Sequence, residues 1–182
     1  MSDYLFEKCV EDYDPNVKSL VDFETERQAR RLIMIPSESI APKAVRDLLA
    51  SPFTNIYAEG YPRPETRYQD ETTIMDYALQ LGRYRRHSDG RYYKGVEYVD
   101  MVEALARRRA AELFAANDLI PDDLWVNVQP LSGAPANTAV YTALMQPGDA
   151  LLGMDLLHGG HLTHGSPVNR SGLFYNAYHY TV

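Results

Sequence analysis

The pattern of apolar and polar positions changes along the chain, and the predicted elements change with it. Over residues 14–28 apolar positions are sparse and helically spaced, with Val17, Leu20 and Val21 standing among charges. Asp14-Pro15 makes a helix start: the aspartate can accept from the free N–H groups of the first turn, and proline needs no donor there. So narrow a stripe predicts an arm that rests on another subunit rather than on a core of its own. Residues 1–13 read as a weakly anchored leader. Leu32-Ile33-Met34-Ile35 is an apolar run closed by Pro36. A helix is expected over 42–50, with Val45, Leu48 and Leu49 on one face and Ser37 or Ser39 as its cap. Ile74, Tyr77, Ala78 and Leu81 predict a short amphipathic helix ending on Arg83, Arg85 and Arg86, where cations complement the dipole. Val96, Val99, Val102, Leu105, Ala106, Leu113 and Phe114 predict a long one, with Arg107-Arg108-Arg109 on its wet side.

Past a loop over 118–123 the period shortens. Residues 124–128 and 150–155 are short apolar runs bounded by turn residues, the pattern of buried strands. Between them Val140, Tyr141, Leu144 and Met145 predict a helix over 138–145, stopped by Pro147-Gly148-Asp149. Residues 173–180 alternate aromatic and small side chains and read as a further strand. Strand, helix, strand is a parallel crossover, and the loops of such sheets are where ligands bind.

Two small-residue clusters fill those loops. In Ser132-Gly133-Ala134-Pro135-Ala136-Asn137, the free N–H groups of a first helical turn and the positive end of its dipole make an anion cradle. Gly133 would let a phosphate approach the backbone closely. The same small residues would equally permit tight helix–sheet packing. His158-Gly159-Gly160-His161-Leu162-Thr163-His164-Gly165 offers three imidazoles, which suit a metal or the face of a flat heteroaromatic ring. Their spacing alone does not decide between the two.

Composition narrows the picture. The 182 residues allow one sizeable core, and a net charge of −7 argues against nucleic acid or an anionic membrane surface as the main partner. The single cysteine, Cys9, suits a reducing compartment, and a cytoplasmic location is expected. No apolar stretch reaches membrane-spanning length, and the acidic start is unlike a signal peptide.

Five motifs, in order, resemble serine hydroxymethyltransferase: Tyr57-Ala58-Glu59-Gly60-Tyr61-Pro62, Arg91-Tyr92-Tyr93, Asn127-Val128-Gln129-Pro130, Ser132-Gly133-Ala134-Pro135-Ala136-Asn137 and Gly159-Gly160-His161-Leu162-Thr163-His164-Gly165. The resemblance runs from about Asp14 onward. It departs over residues 64–90, an apparent insertion, and at Lys94, where glycine is commoner.

That resemblance implies an α/β fold of the aspartate-aminotransferase type (fold type I), a mostly parallel sheet with helices behind a helical N-terminal arm. It implies an arm over 1–60, an insertion-bearing interface loop over 61–95 and an incomplete cofactor-binding large domain over 96–182. The implied cofactor is pyridoxal 5'-phosphate (PLP), with tetrahydrofolate as co-substrate and serine and glycine as ligands. Ser132, Gly133 and Ala134 would hold the phosphate, with Tyr57 reaching it and His161 stacking on the ring. Ala134 stands where some relatives have a phosphate-binding serine. Ser37, Glu59 and Tyr93 would meet the substrate, and Tyr92, Leu156 and Leu162 the folate. Glu59 would manage a proton in the neighbouring subunit's site, so Glu59 and His161 are the implied catalytic residues. No metal ligand is implied, and a homodimer or higher homo-oligomer is.

None of Lys8, Lys18, Lys43 and Lys94 stands in the context of the family's Schiff-base lysine, and the matching pyridine-partner aspartate and substrate-binding arginine are absent as well. The chain therefore reads as the inactive N-terminal part of a longer transferase. Two other readings fit the residues: a non-catalytic module docking on a full-length subunit, and a related PLP-dependent aldolase or transaldolase.

Overall fold

Asp14 caps the first long helix as its position predicts. Its carboxylate accepts from the N–H groups of Asn16 and Val17, both at 3.0 Å, and α2 runs Pro15–Arg30. The computed structural model describes residues 8–87 and 90–182. The first seven residues of the expected leader, and two near the end of the 64–90 segment, lie outside the described residues. The chain divides into two units, Met1–Asn55 and Ile56–Val182.

In the first unit Val10–Tyr13, within the expected leader, forms a one-turn helix, α1, with no buried residue. Intrahelical ion pairs Lys18–Asp22, Arg27–Glu24 and Arg30–Glu26 line α2. The helix α3 spans Lys43–Leu49. Its N-cap is Pro42, with no side-chain cap, so neither Ser37 nor Ser39 plays the capping role expected of it. None of the described residues in 8–55 is buried: Leu20, Phe23, Val45, Leu48 and Leu49 are all exposed, and Leu32 is 85% exposed. The apolar stripe exists, but the unit builds no core from it.

The second unit has its core where a helical layer meets α6 (Glu97–Phe114). A 3₁₀ turn at Pro64–Tyr68, α4 (Glu71–Ile74) and α5 (Tyr77–Arg86) precede it. Two short helices thus replace the single one expected, because Asp70 and Asp76 each cap a start by accepting from Thr73 N and Leu79 N. Buried Ile74, Val96, Met101, Ala104 and Ala111 form the seam. The expected face of α6 is therefore only partly the inner one, with Val96 buried and Val99 and Leu105 half-buried. Val102, Leu113 and Phe114 point to solvent, whereas Met101, Ala104, Arg108 and Ala111 share the inner side. Arg108 leaves its predicted wet position to pair with Glu112 at 2.6 Å and Asp122 at 2.7 Å.

After a 3₁₀ turn at Pro121–Asp123, residues 124–128 form no strand. The run is extended, with Leu124 and Val126 turned toward Ala104 and Ala111 and Trp125 outward, 81% exposed. The guanidinium of Arg67 covers the indole at 3.9 Å from the ring centroid. Alternation is present without a strand to pair with. The helix α7 spans Gly133–Leu144, and β1 spans Ala150–Met154. The helix α8 takes Arg170–Phe174, which shortens the expected last strand to β2, Asn176–Tyr180.

The two strands pair in parallel, Ala150 with Asn176 through Met154 with Tyr180. The crossover thus joins β1 to β2 through residues 155–175 rather than residues 124–128 to β1 through α7. The strands are mostly exposed, not buried as their composition predicts; Gly153 alone in β1 is buried. Among the described residues no helix is long and apolar enough to cross a membrane.

Candidate functional site

Two groups of candidate side chains stand in the second unit. The first is built around Arg91, a residue that the sequence places in a motif without announcing its role. Its side chain is 1% exposed. Nε donates to Asp100 Oδ1 at 2.5 Å and Nη2 to Glu103 Oε2 at 2.7 Å, both on α6. Nη1 donates to the carbonyls of Ala58 at 2.5 Å and Gly60 at 3.1 Å. The backbone of Tyr92 closes the clasp by donating to Glu59 O at 3.1 Å. Gln129 joins from the other side, its Nε2 reaching Gly60 O at 2.7 Å and Glu103 Oε1 at 3.0 Å. Burial pulls the Arg91 pKa down, but the hydrogen bonds to Asp100 and Glu103 outweigh it and hold the guanidinium above its ordinary range.

This clasp fixes the Tyr57–Glu59 and Tyr92–Tyr93 segments as one surface. The rings of Tyr57 and Tyr93 lie 5.3 Å apart. Tyr57, Glu59, Tyr92 and Tyr93 are all exposed. A sequence signal for the clasp did exist. Asp100 and Glu103 sit three apart on α6, among residues that bury, and two carboxylates on an inner face require a cation.

The second group joins the N-terminal part of α7 to the histidine loop through one buried side chain, Thr163, 2% exposed. Asn137 Nδ2 donates to Thr163 Oγ1 at 2.7 Å, and the Tyr141 hydroxyl donates to Thr163 O at 3.0 Å. Thr163 N donates to His161 Nδ1 at 3.2 Å, and Oγ1 lies 2.7 Å from the same nitrogen. Nδ1 is thereby an acceptor, which puts the proton of a neutral imidazole on Nε2. Burial, then the neighbouring Tyr175, raises the pKa of Tyr141 and keeps its phenol a donor. The rings of His161 and His164 are 5.8 Å apart, while His158 turns away to Val182 O at 2.7 Å. Among the described residues no group of three or more His, Cys, Asp or Glu is arranged to hold a metal ion.

Glycines let this loop lie flat on the sheet. A Cβ on Gly160 would collide with Met154 O, and Gly165, at φ +99°, would set one 2.5 Å from the Cβ of Ala177. Leu156 and Leu162 stand at the loop's exposed rim. Ser132 is the N-cap of α7, extended at φ −161° with no capping bond from its hydroxyl. A Cβ on Gly133 would meet nothing within 4 Å, so the first turn of α7 faces open space. Ser132 and Gly133 are exposed and Ala134 half-buried. These amides fit an anion, and the oriented imidazole fits the face of a ring. Ser37 lies in the first unit, exposed beside a turn closed by Glu38 N to Ile35 O at 3.0 Å.

The chain is thus a mixed α/β protein in which the N-terminal part of α7 is braced against a glycine-framed imidazole. The sequence model of serine hydroxymethyltransferase matches residues 10–89 and 83–182, and the chain belongs to that family. It is 46% identical over 182 residues to the serine hydroxymethyltransferase of Kocuria rhizophila, covering 100% of this chain and 35% of that protein. To the serine hydroxymethyltransferase of Prochlorococcus marinus strain MIT 9211 it is 43% identical over 174 residues, covering 96% of this chain and 34% of that protein. For strain NATL2A the figures are 46% over 169 residues, 93% and 33%. The chain thus spans about a third of the length of the curated relatives it matches.

Proposed function

We propose that this chain is the N-terminal part of a PLP-dependent serine hydroxymethyltransferase, with a large domain of the aspartate-aminotransferase type. The whole protein would move the hydroxymethyl carbon of serine to tetrahydrofolate and leave glycine, reversibly. One observation carries the reading: Thr163 braces His161 against α7, next to the helix start that can hold a phosphate.

When bound, PLP supplies an electron sink for the charge left at the serine α-carbon. Everything else in the proposal falls to the protein's own groups. The amides of Gly133 and Ala134 and the hydroxyl of Ser132 take the phosphate, with Tyr57 beside it. His161 would cover the ring, its own imidazole oriented by the Thr163 bond. Glu59 holds and moves the proton on the serine hydroxyl, with Tyr93 and Ser37 orienting the amino acid. Tyr92, Leu156 and Leu162 face the folate ring. The inward-facing lysine that would anchor the cofactor belongs to the remainder of the protein, which leaves this chain inactive by itself.

A homodimer follows from the exposed apolar stripe of the first unit and the outward presentation of Tyr57 and Glu59, which would serve a neighbouring subunit's site. Glu59→Gln in the full-length protein tests the proposal, since it keeps shape and removes the titrating proton. Transfer to tetrahydrofolate should fall by on the order of a hundredfold or more while serine binding, read by equilibrium titration, changes little. Equal losses in both would make Glu59 structural and defeat the assignment.

A further inference from the structure

A cavity of about 230 Å³ lies between α4, α5 and α6. That is many times the ~10–15 Å³ a single water needs. Its floor is apolar, made by Ile74, Met101 and Ala104, and its wall is polar, with Arg63, Arg83 and Glu97 among the groups lining it. Two of those groups hold buried atoms without a hydrogen-bond partner: Nη1 of Arg63 and Oε2 of Glu97. One is a cationic donor and the other an anionic acceptor. Buried polar atoms are paired in nearly all folded proteins, so each orphan is left for a water or a ligand to satisfy. Several of the other polar groups are already committed, Glu65 among them, whose Oε2 accepts from Arg63 Nε at 3.4 Å. Gln80 Nε2 donates to Gln69 Oε1 and Thr73 O, Asp100 takes Arg91, and Tyr84 accepts from Gly95 N at 2.8 Å.

A donor and an acceptor of opposite charge above an apolar floor fit a molecule with both charges and a small apolar part. We propose that this cavity binds a free α-amino acid, its carboxylate on Arg63, its ammonium on Glu97 and its side chain over Ile74 and Met101. Asp100 is the wall shared with the Arg91 clasp, so an occupant would also bear on the segment that carries Glu59. The site does not depend on the chemistry proposed for the whole protein.

L-alanine is the probe, because it is a minimal zwitterion with an apolar side chain and is not the proposed substrate. Titration of the labelled chain followed by NMR should give saturable shifts in the side-chain amides of Gln69 and Gln80, with the His161 ring unmoved. Arg63→Gln and Glu97→Gln should each weaken binding on the order of tenfold or more, as expected for a lost hydrogen bond to a charged group. Each variant removes a charged group that carries an unpartnered buried atom and keeps a polar side chain, so both should stay folded, which the same spectra report. No saturation up to about 10 mM, beyond the affinity a useful ligand of this size would have, would leave the cavity to water and overturn the proposal. Acetate or ethylamine binding as tightly as L-alanine would overturn the zwitterion. Shifts centred on His161 would move the site elsewhere and overturn it too.

Discussion

Arg91→Met is the most informative single change in the second unit. It replaces a guanidinium that is 1% exposed and removes the cation that bridges Asp100 and Glu103, at 15% and 9% exposure. The carbonyls of Ala58 and Gly60 lose a donor at the same time. Removing one partner of a buried ion pair typically costs about 3–5 kcal/mol, because the remaining charge stays desolvated. Set against a total stability of about 5–15 kcal/mol for an ordinary domain, that is roughly a fifth or more of what holds the unit together. The lost carbonyl bonds push toward the top of the range, and Gln129, which still reaches Glu103, pushes back. Urea unfolding should show a midpoint shift of this size with an unchanged slope, and the melting temperature should drop on the order of 10 °C. The triple change Arg91→Met, Asp100→Leu, Glu103→Met should recover most of the loss, since it leaves no buried charge. A single variant within about 1 kcal/mol of the parent would show that the clasp behaves as a surface pair, and the reasoning would fail.

Three further outcomes are expected. Incubation with PLP and borohydride should label Lys8, Lys18, Lys43 and Lys94 sparsely, and stoichiometric trapping on any one of them would contradict the proposed placement of the anchoring lysine. Hydrogen bonds from Arg27 and then Gln28 hold the Glu24 carboxyl down from 4.5 to about 2. Its contribution to α2 is therefore full above pH 4.5 and lost as pH falls through about 2, and a carboxyl NMR midpoint near 4.5 would refute the bonding. Light scattering across a dilution series should show self-association of the chain, driven by the uncovered apolar stripe of the first unit; a monodisperse, cooperatively melting monomer at micromolar concentration would refute the interface argument.

By itself the sequence determined the elements whose cause is local. Asp14-Pro15 starts α2 because capping needs only neighbours, and Pro147-Gly148 stops α7 for the same reason. Gly159 and Gly160 read as loop geometry because a backbone that must turn left-handed or pass close to a strand excludes a Cβ. The ordered motifs were enough to place the chain in its family. Tertiary structure alone decided which face of α6 turns inward, because two apolar stripes compete on that helix and only the layer built from residues 64–86 selects Met101, Ala104 and Ala111. It also decided that residues 124–128 stay unpaired, since a strand requires a partner and apolar alternation does not supply one. The Arg91 clasp and the Thr163 brace belong to the same class. Each joins residues 22 or more positions apart, Arg91 to Ala58 and Thr163 to Tyr141, and such pairings are set by packing rather than by spacing.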